Sequence, residues 1–272
     1  MKKLFLFFAL LVFTCNFSFA KSIEFSVISD AKLKTDNSVK NSKAMTPSIE
    51  KLMGAVEQIN DSPSNFTVFL GDNIAGANKY SLVMFSKIIN KLKKPVYVGI
   101  GEKDVAQTKN LDKKEYYRIL NLFSSNKIKG LPFAKKVKGF VLVFMDGTNQ
   151  FIPTSNGYYK ENEIAWLDKT LKEYQKYPIV IFQHYPVFET YSINEKKLPH
   201  KFEEYQKVIS HHNNVVAMIT GHHNIDDEIK YDGINFITLP SLETVGQFKK
   251  ITIDYDKKTG ESFVKTRLYT LE

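Results

Sequence analysis

Short runs that are apolar at nearly every position recur along the chain: Ile23 to Ser29, Thr67 to Leu70, Val96 to Ile100, Phe140 to Met145, Ile179 to Phe182 and Val215 to Thr220. Runs of this length and kind predict strands buried on both faces of an α/β sheet. Between them lie stretches with helical periodicity. Pro47 to Ile59 puts Ile49, Leu52, Met53, Val56 and Ile59 on one face, and Glu161 to Tyr174 does the same with Ile164, Trp166, Leu167 and Leu171. Tyr80 to Lys93, Lys113 to Phe123 and Lys201 to Ser210 read as further helices. After about residue 230 the pattern changes. Ile234 to Leu239, Lys249 to Tyr255 and Ser262 to Tyr269 alternate like antiparallel strands around a turn at 256–260. No repeat and no low-complexity linker divides the chain, which predicts one α/β domain built on mixed sheet.

The residues just beyond the apolar runs narrow the chemistry. Five of the runs deliver Asp30, Asp72, Glu102, His184 and His222 within a few residues of their ends. Ligands of α/β sheets bind beyond the carboxyl ends of the strands. One such residue is ordinary loop chemistry; five that bind metals or move protons predict a shared, metal-type rim.

The first twenty residues are set apart. Met1-Lys2-Lys3 is basic, Leu4 to Phe13 is apolar, and Ser18-Phe19-Ala20 offers small residues where a signal peptidase cuts. The apolar run falls short of the roughly 20 residues of a spanning helix, so no stable membrane anchor is expected. Residues 1–20 are read as a cleaved leader and 21–272 as the exported domain, periplasmic or extracellular. Cys15 is the only cysteine. The mature chain therefore has no disulfide, no thiolate nucleophile and no zinc–thiolate cluster, and any metal must use oxygen and imidazole ligands. Removing Lys2 and Lys3 leaves 36 basic against 29 acidic residues, a net charge of +7. Arg118 and Arg267 are the only arginines and the lysines are scattered, which reads as a solvated surface and not as a nucleic-acid interface.

In order, Ser29-Asp30-Ala31-Lys32, Gly71-Asp72-Asn73, Gly101-Glu102-Lys103-Asp104, Gln183-His184-Tyr185-Pro186 and Gly221-His222-His223-Asn224 resemble the blocks of the calcineurin-like metallophosphoesterases. Those blocks are Asp-x-His, Gly-Asp, Gly-Asn-His-Asp/Glu, His and Gly-His-x-His, each after a strand. Glu163 to Leu167 is similar to the Glu/Gln-x-x-Trp-Leu helix before the lone histidine. The resemblance spans nearly the whole mature chain. It implies a four-layer α/β/β/α sandwich, two mixed β-sheets flanked by helices, carrying a two-metal site that hydrolyses phosphate esters, with Asp72 as bridging ligand.

Four positions depart from the pattern. Lys32, Glu102, Lys103 and Asn224 stand where the family has His, Asn, His and His. By the resemblance, the first ion would rest on Asp30, Lys32, Asp72 and Asn224, of which two are spoiled; an ammonium has no lone pair to give and repels a cation. The second would rest on Asp72, Glu102, His184 and His222, all able to ligate. The expectation is one divalent ion (Mn, Fe or Zn) at the second position, with the Lys32 ammonium between Asp30 and Asp72 in place of the first. Lys103, at the catalytic histidine's position, remains a point cation for phosphoryl charge. Asp104 matches the closing acid that orients its neighbour, and a salt bridge to Lys103 is its plain reading. Asn73 faces the substrate side or shapes a turn, and Lys32 and Asn224 are read as substrate-binding. His200, His211 and His212 read as surface residues, and His223 as a surface or packing residue.

Two function classes emerge. One is a hydrolase of phosphate esters with a reduced, single-ion site. The other is an inactive relative that keeps the pocket for a phosphorylated ligand, or only the scaffold. Specificity would lie in the loops 32–43, 75–79 and 187–200.

Overall fold

The computed structural model describes residues 21–35, 46–151, 155–190, 192–193 and 198–271. The leader with Cys15, and parts of the loops 32–43 and 187–200, lie outside the described residues.

Two mixed sheets carry the chain. The first holds β1 (Lys21–Ile28), β2 (Phe66–Phe69), β3 (Val96–Val98), β10 (Gln247–Tyr255) and β11 (Ser262–Thr270), ordered β11-β10-β1-β2-β3. β1, β2 and β3 are parallel, whereas β10 runs antiparallel to both β1 and β11. The second holds β4 (Phe133–Val137), β5 (Phe140–Phe144), β6 (Ile179–Phe182), β7 (Val215–Thr220), β8 (Asp227–Tyr231) and β9 (Ile234–Thr238), ordered β4-β5-β6-β7-β9-β8. Here β5, β6, β7 and β9 are parallel and the edge strands β4 and β8 are antiparallel.

Side-chain alternation explains the continuous apolar runs. Ile23, Phe25 and Val27 of β1 point into a core between the sheets, where they meet Phe140, Leu142 and Phe144 of β5 and Phe182 of β6. Rings dominate that layer: Phe144 stacks on Phe182 at 5.0 Å and Phe25 on Phe66 at 4.9 Å. On the outer face of the first sheet, Ile28, Phe69 and Val98 pack under α1 (Pro47–Asn60), α2 (Lys79–Ile89) and α3 (Lys113–Phe123). On the outer face of the second, Val141, Val143, Ile179 and Ile181 pack under α4 (Glu161–Glu173) and α5 (Phe202–Ser210). Three apolar layers thus separate four layers of backbone, the α/β/β/α sandwich the sequence implied.

The structure differs from the sequence expectation at the sheet edges and in the tail. β4 and β8 are additional edge strands whose mid-strand positions are largely exposed, so they lack an apolar run. A four-residue helix α6 (Leu242–Val245), capped by Ser241, precedes β10. The three C-terminal strands do not form one antiparallel unit: β9 pairs parallel to β7 in the second sheet, while β10 and β11 close the first. Among the described residues, no helix is long and apolar enough to cross a membrane.

Candidate metal centre

Strand ends bring the site together. The segments after β1 and β2 run on side by side: Asp30 N donates to Gly71 O at 3.1 Å, Lys32 N to Asp72 O at 2.9 Å and Leu33 N to Asn73 O at 3.0 Å. This places Asp30 beside Asp72. Across the sandwich, Gly221 N donates to His184 O at 3.0 Å and so couples the ends of β7 and β6. Asp30 then joins the two halves, because its Oδ2 accepts the His222 N–H at 3.1 Å and the Ser29 hydroxyl at 2.6 Å.

The close fit needs glycine in the walls. A Cβ on Gly101 would lie 2.3 Å from Asp72 Oδ1 and 2.7 Å from His184 Nε2, and one on Gly221 would lie 1.8 Å from Ser29 Oγ. Asp30, Lys32, Asp72, His222 and Asn224 all have positive φ, between 40° and 70°. Non-glycine residues enter this left-handed region at a cost of roughly 1 kcal/mol each. Five in one cluster mean that the surrounding hydrogen bonds over-determine the turns, the condition under which strain persists at functional sites.

Two triads of potential ligands result, Glu102–His184–His222 and Asp30–Asp72–His184, the donor atoms of each lying within 4.8 Å of one another. Glu102 Oε2 is the focus of the first. It lies 3.2 Å from His184 Nε2 and 3.3 Å from His222 Nδ1, and it accepts the Tyr185 hydroxyl at 3.2 Å. His222 Nδ1 is buried without a hydrogen-bond partner. His184 Nε2 is also 3.7 Å from Asp72 Oδ1. Tyr185, which carried no site role in the sequence reading, is therefore part of the cluster; its place directly after His184 was the available signal.

Both lysines enter the site. Lys32 Nζ lies 3.1 Å from Asp30 Oδ1, outside hydrogen-bond angles, and donates to Asn224 Oδ1 at 3.0 Å. The expected position between Asp30 and Asp72 is only half met. The cation on Asp72 is Lys103, whose ammonium sits 2.6 Å from Asp72 Oδ2 and 3.1 Å from Glu102 Oε1. Lys103 reaches Asp72 because it follows the turn after β3, the strand paired with β2.

Asp104 does not pair with Lys103. Its Oδ1 accepts the amides of Asn73 and Ile74 at 2.8 and 3.0 Å, and its Oδ2 accepts the Gly101 amide at 2.9 Å and the Asn73 side chain at 3.2 Å. Every partner is a donor, the arrangement of an ionised carboxylate. Asp104 thus fixes the turns that carry Asp72 and Glu102. Burial, then the nearby Asp72 charge, raises its pKa, against the pull of these amides. Asn73 faces inward, with its amide donating also to Gly99 O and Tyr116 OH. Of the histidines read as surface residues, His212 pairs with Asp168 at 2.7 Å on the helix side of the second sheet.

Charge within the cluster is largely self-compensated. Burial lowers the His184 pKa, but Asp72, Glu102 and Asp30 outweigh it and raise it to about 9. Burial likewise opposes the Lys103 charge, and Asp72 and Glu102 again win, holding its pKa above the ordinary lysine value. Glu102 is held well below the carboxylate range by the two histidines, despite a burial penalty. Asp72 is raised, by burial first and then by Glu102 and Asp30.

The donor chemistry fits a divalent ion at one position. Two ligands about 2.0–2.1 Å from one tetrahedral ion lie roughly 3.3 Å apart, and the Glu102 oxygen stands 3.2 and 3.3 Å from the two imidazole nitrogens. At the other position the Asn224 oxygen and Asp30 are both in contact with the Lys32 ammonium.

Comparison with known proteins agrees with the architecture. The chain superimposes over 89% of its length on 98% of a dimetal phosphatase from Danio rerio, with a TM-score of 0.64 and 16% identity. It is similar to GAP50, the anchor in the inner membrane complex of Plasmodium, over 93% of this chain and 90% of that one, with a TM-score of 0.56 and 14% identity. It also matches a 5'-nucleotidase precursor from Thermus thermophilus over 92% of its length but only 54% of that chain, with a TM-score of 0.57 and 13% identity. No family model and no curated protein matches the sequence. The chain therefore has the calcineurin-like metallophosphoesterase fold.

Proposed function

We propose that this protein is an exported hydrolase of phosphate esters that works with one divalent ion, held by Glu102, His184 and His222 with Asp72 alongside. The observation that carries this reading is the convergence of one carboxylate oxygen and two imidazole nitrogens at separations of 3.2 and 3.3 Å, on the fold of dimetal phosphatases. Mn, Fe and Zn all suit such ligands. An ion there would supply Lewis acidity to a phosphoryl oxygen. The chain's own part is to orient and neutralise: Lys103 presents a cation at the rim and Asp104 locks the turns beneath it. Cleavage of residues 1–20 would deliver the domain to the periplasm or the extracellular space.

The second reading is an inactive relative that binds a phosphorylated ligand or serves as a scaffold. It is favoured by the two ammonium groups already seated on Asp30 and Asp72, and by the likeness to GAP50, itself described as an anchor. Metal analysis of the purified mature protein with Glu102→Ala and His184→Ala separates the two. About one equivalent in the wild type, lost in both variants, followed by turnover in a phosphomonoester and phosphodiester screen with Mn, Fe and Zn, supports the hydrolase. No metal after incubation with excess Mn or Zn sinks it.

A further inference from the structure

Lys32 is built into the cluster as firmly as the carboxylates. Its backbone sits at φ 40°, one turn beyond Asp30 at φ 53°, and its N–H is tied to Asp72 O. The side chain is only 16% exposed. Its ammonium contacts Asp30 and Asn224, two of the places from which the resemblance would draw ligands for a first ion. Asp72, which would bridge two ions, has both oxygens engaged by one residue: the Lys103 ammonium on Oδ2 at 2.6 Å and the Lys103 amide on Oδ1 at 3.0 Å.

The ammonium bears on the number of ions. A divalent ion at the first position would sit against the Lys32 charge, which already occupies Asp30 and the Asn224 oxygen, and like charges a few ångströms apart in a largely buried cluster repel strongly. We propose that Lys32 is a resident cation that permanently fills the first ion position, so that this site takes one divalent ion where the fold otherwise takes two. An ammonium has three donors; the Asn224 oxygen accepts from it at 3.0 Å and Asp30 pairs with it at 3.1 Å. The inference rests on the metal-site reading above, but it makes a separate prediction.

The test is metal stoichiometry, by titration calorimetry with Mn²⁺ and by elemental analysis, on the wild type and on Lys32→His combined with Asn224→His. The double substitution removes the ammonium and supplies two imidazole ligands. The expected result is one equivalent in the wild type and two in the variant. No ion in the wild type but one in the variant overturns the single-ion function and sustains the resident cation. Two in the wild type, or a folded variant that binds no more than the wild type, overturns the resident cation. Lys32→Met guards against a variant that fails to fold. With its ammonium gone, Mn²⁺ should raise its melting temperature more than it raises that of the wild type, and an equal shift would also overturn the proposal.

Discussion

Lys103 grips Asp72 from two directions, its ammonium 2.6 Å from Oδ2 and its backbone N–H 3.0 Å from Oδ1. Asp72 is fully buried, so removing the ammonium strands a charge away from water. Breaking a buried pair usually costs about 3–5 kcal/mol, but Lys103 is 40% exposed and solvent already weakens its side of the pair. Lys103→Met should therefore lower stability by about 2 kcal/mol. If the cluster binds a divalent ion, Mn²⁺ should recover part of that loss, because the ion now faces a free carboxylate. Denaturant titration with and without Mn²⁺ measures both effects. A variant as stable as the wild type would mean that the ammonium does not hold Asp72.

Tyr185 contributes through two separable parts. Its hydroxyl donates to Glu102 Oε2 at 3.2 Å, while its ring fills the space over Gly147 and Gly157, where an added Cβ would meet it at 2.8 and 2.7 Å. Tyr185→Phe should cost about 1 kcal/mol, one hydrogen bond to a charged group that keeps other partners. Tyr185→Ala should cost about 3–5 kcal/mol through the cavity it opens. Equal losses in the two variants would show that the ring packing is not what anchors this loop.

Glu163 gives the fold a pH dependence away from the metal cluster. Its carboxyl is raised above the ordinary range by burial and then by Asp146, against the pull of Lys160. The folded state thus holds the proton more tightly than the unfolded chain. That contribution is fully present below the unfolded pKa of about 4.3 and is lost as pH rises through the higher folded value. Glu163→Gln keeps an acceptor for the Lys160 N–H, bonded at 3.2 Å in the native protein, but cannot ionise. The variant should gain on the wild type as pH rises from 4 to 8, by less than about 1 kcal/mol at neutral pH. Melting curves across that range check it, and a gap that ignores pH would remove the assignment.

The buried strands and the residues at their ends were legible because the information is local. An apolar run, a glycine and an acid or histidine are visible in a few consecutive positions, and the parallel strands put them on one edge. The edge strands were not. Ala134-Lys135-Lys136 in β4 and Glu228-Ile229-Lys230 in β8 face largely outward, so burial leaves little imprint on them. The split of the tail between two sheets was hidden for a different reason, since β9 and β10 differ in partners and not in pattern. The pairing of Lys103 with Asp72 joins residues 31 positions apart. A block pattern can say that histidine is missing there, but not where the lysine's flexible stem carries its charge.

Lys249 is the strongest case of a charge no local pattern could place. It lies in β10, only 1% exposed, with its ammonium paired to Asp226 and Glu228. Asp226 follows Asn224 by two residues and Glu228 belongs to β8, so a lysine of the first sheet holds the segment of the second that carries His222 and Asn224. The two sides of this pairing are not equivalent, because the acids are each 39% exposed while the lysine is sealed in. Lys249→Met leaves two carboxylates that water can solvate, and should cost about 1–2 kcal/mol. Asp226→Asn with Glu228→Gln leaves a sealed ammonium without a counter-charge, and should cost about 3–5 kcal/mol. Denaturation midpoints of the two variants decide the matter. If neutralising the acids were the cheaper change, Lys249 would be held by its packed stem and not by its charge, and the link between the sheets at this rim would be apolar.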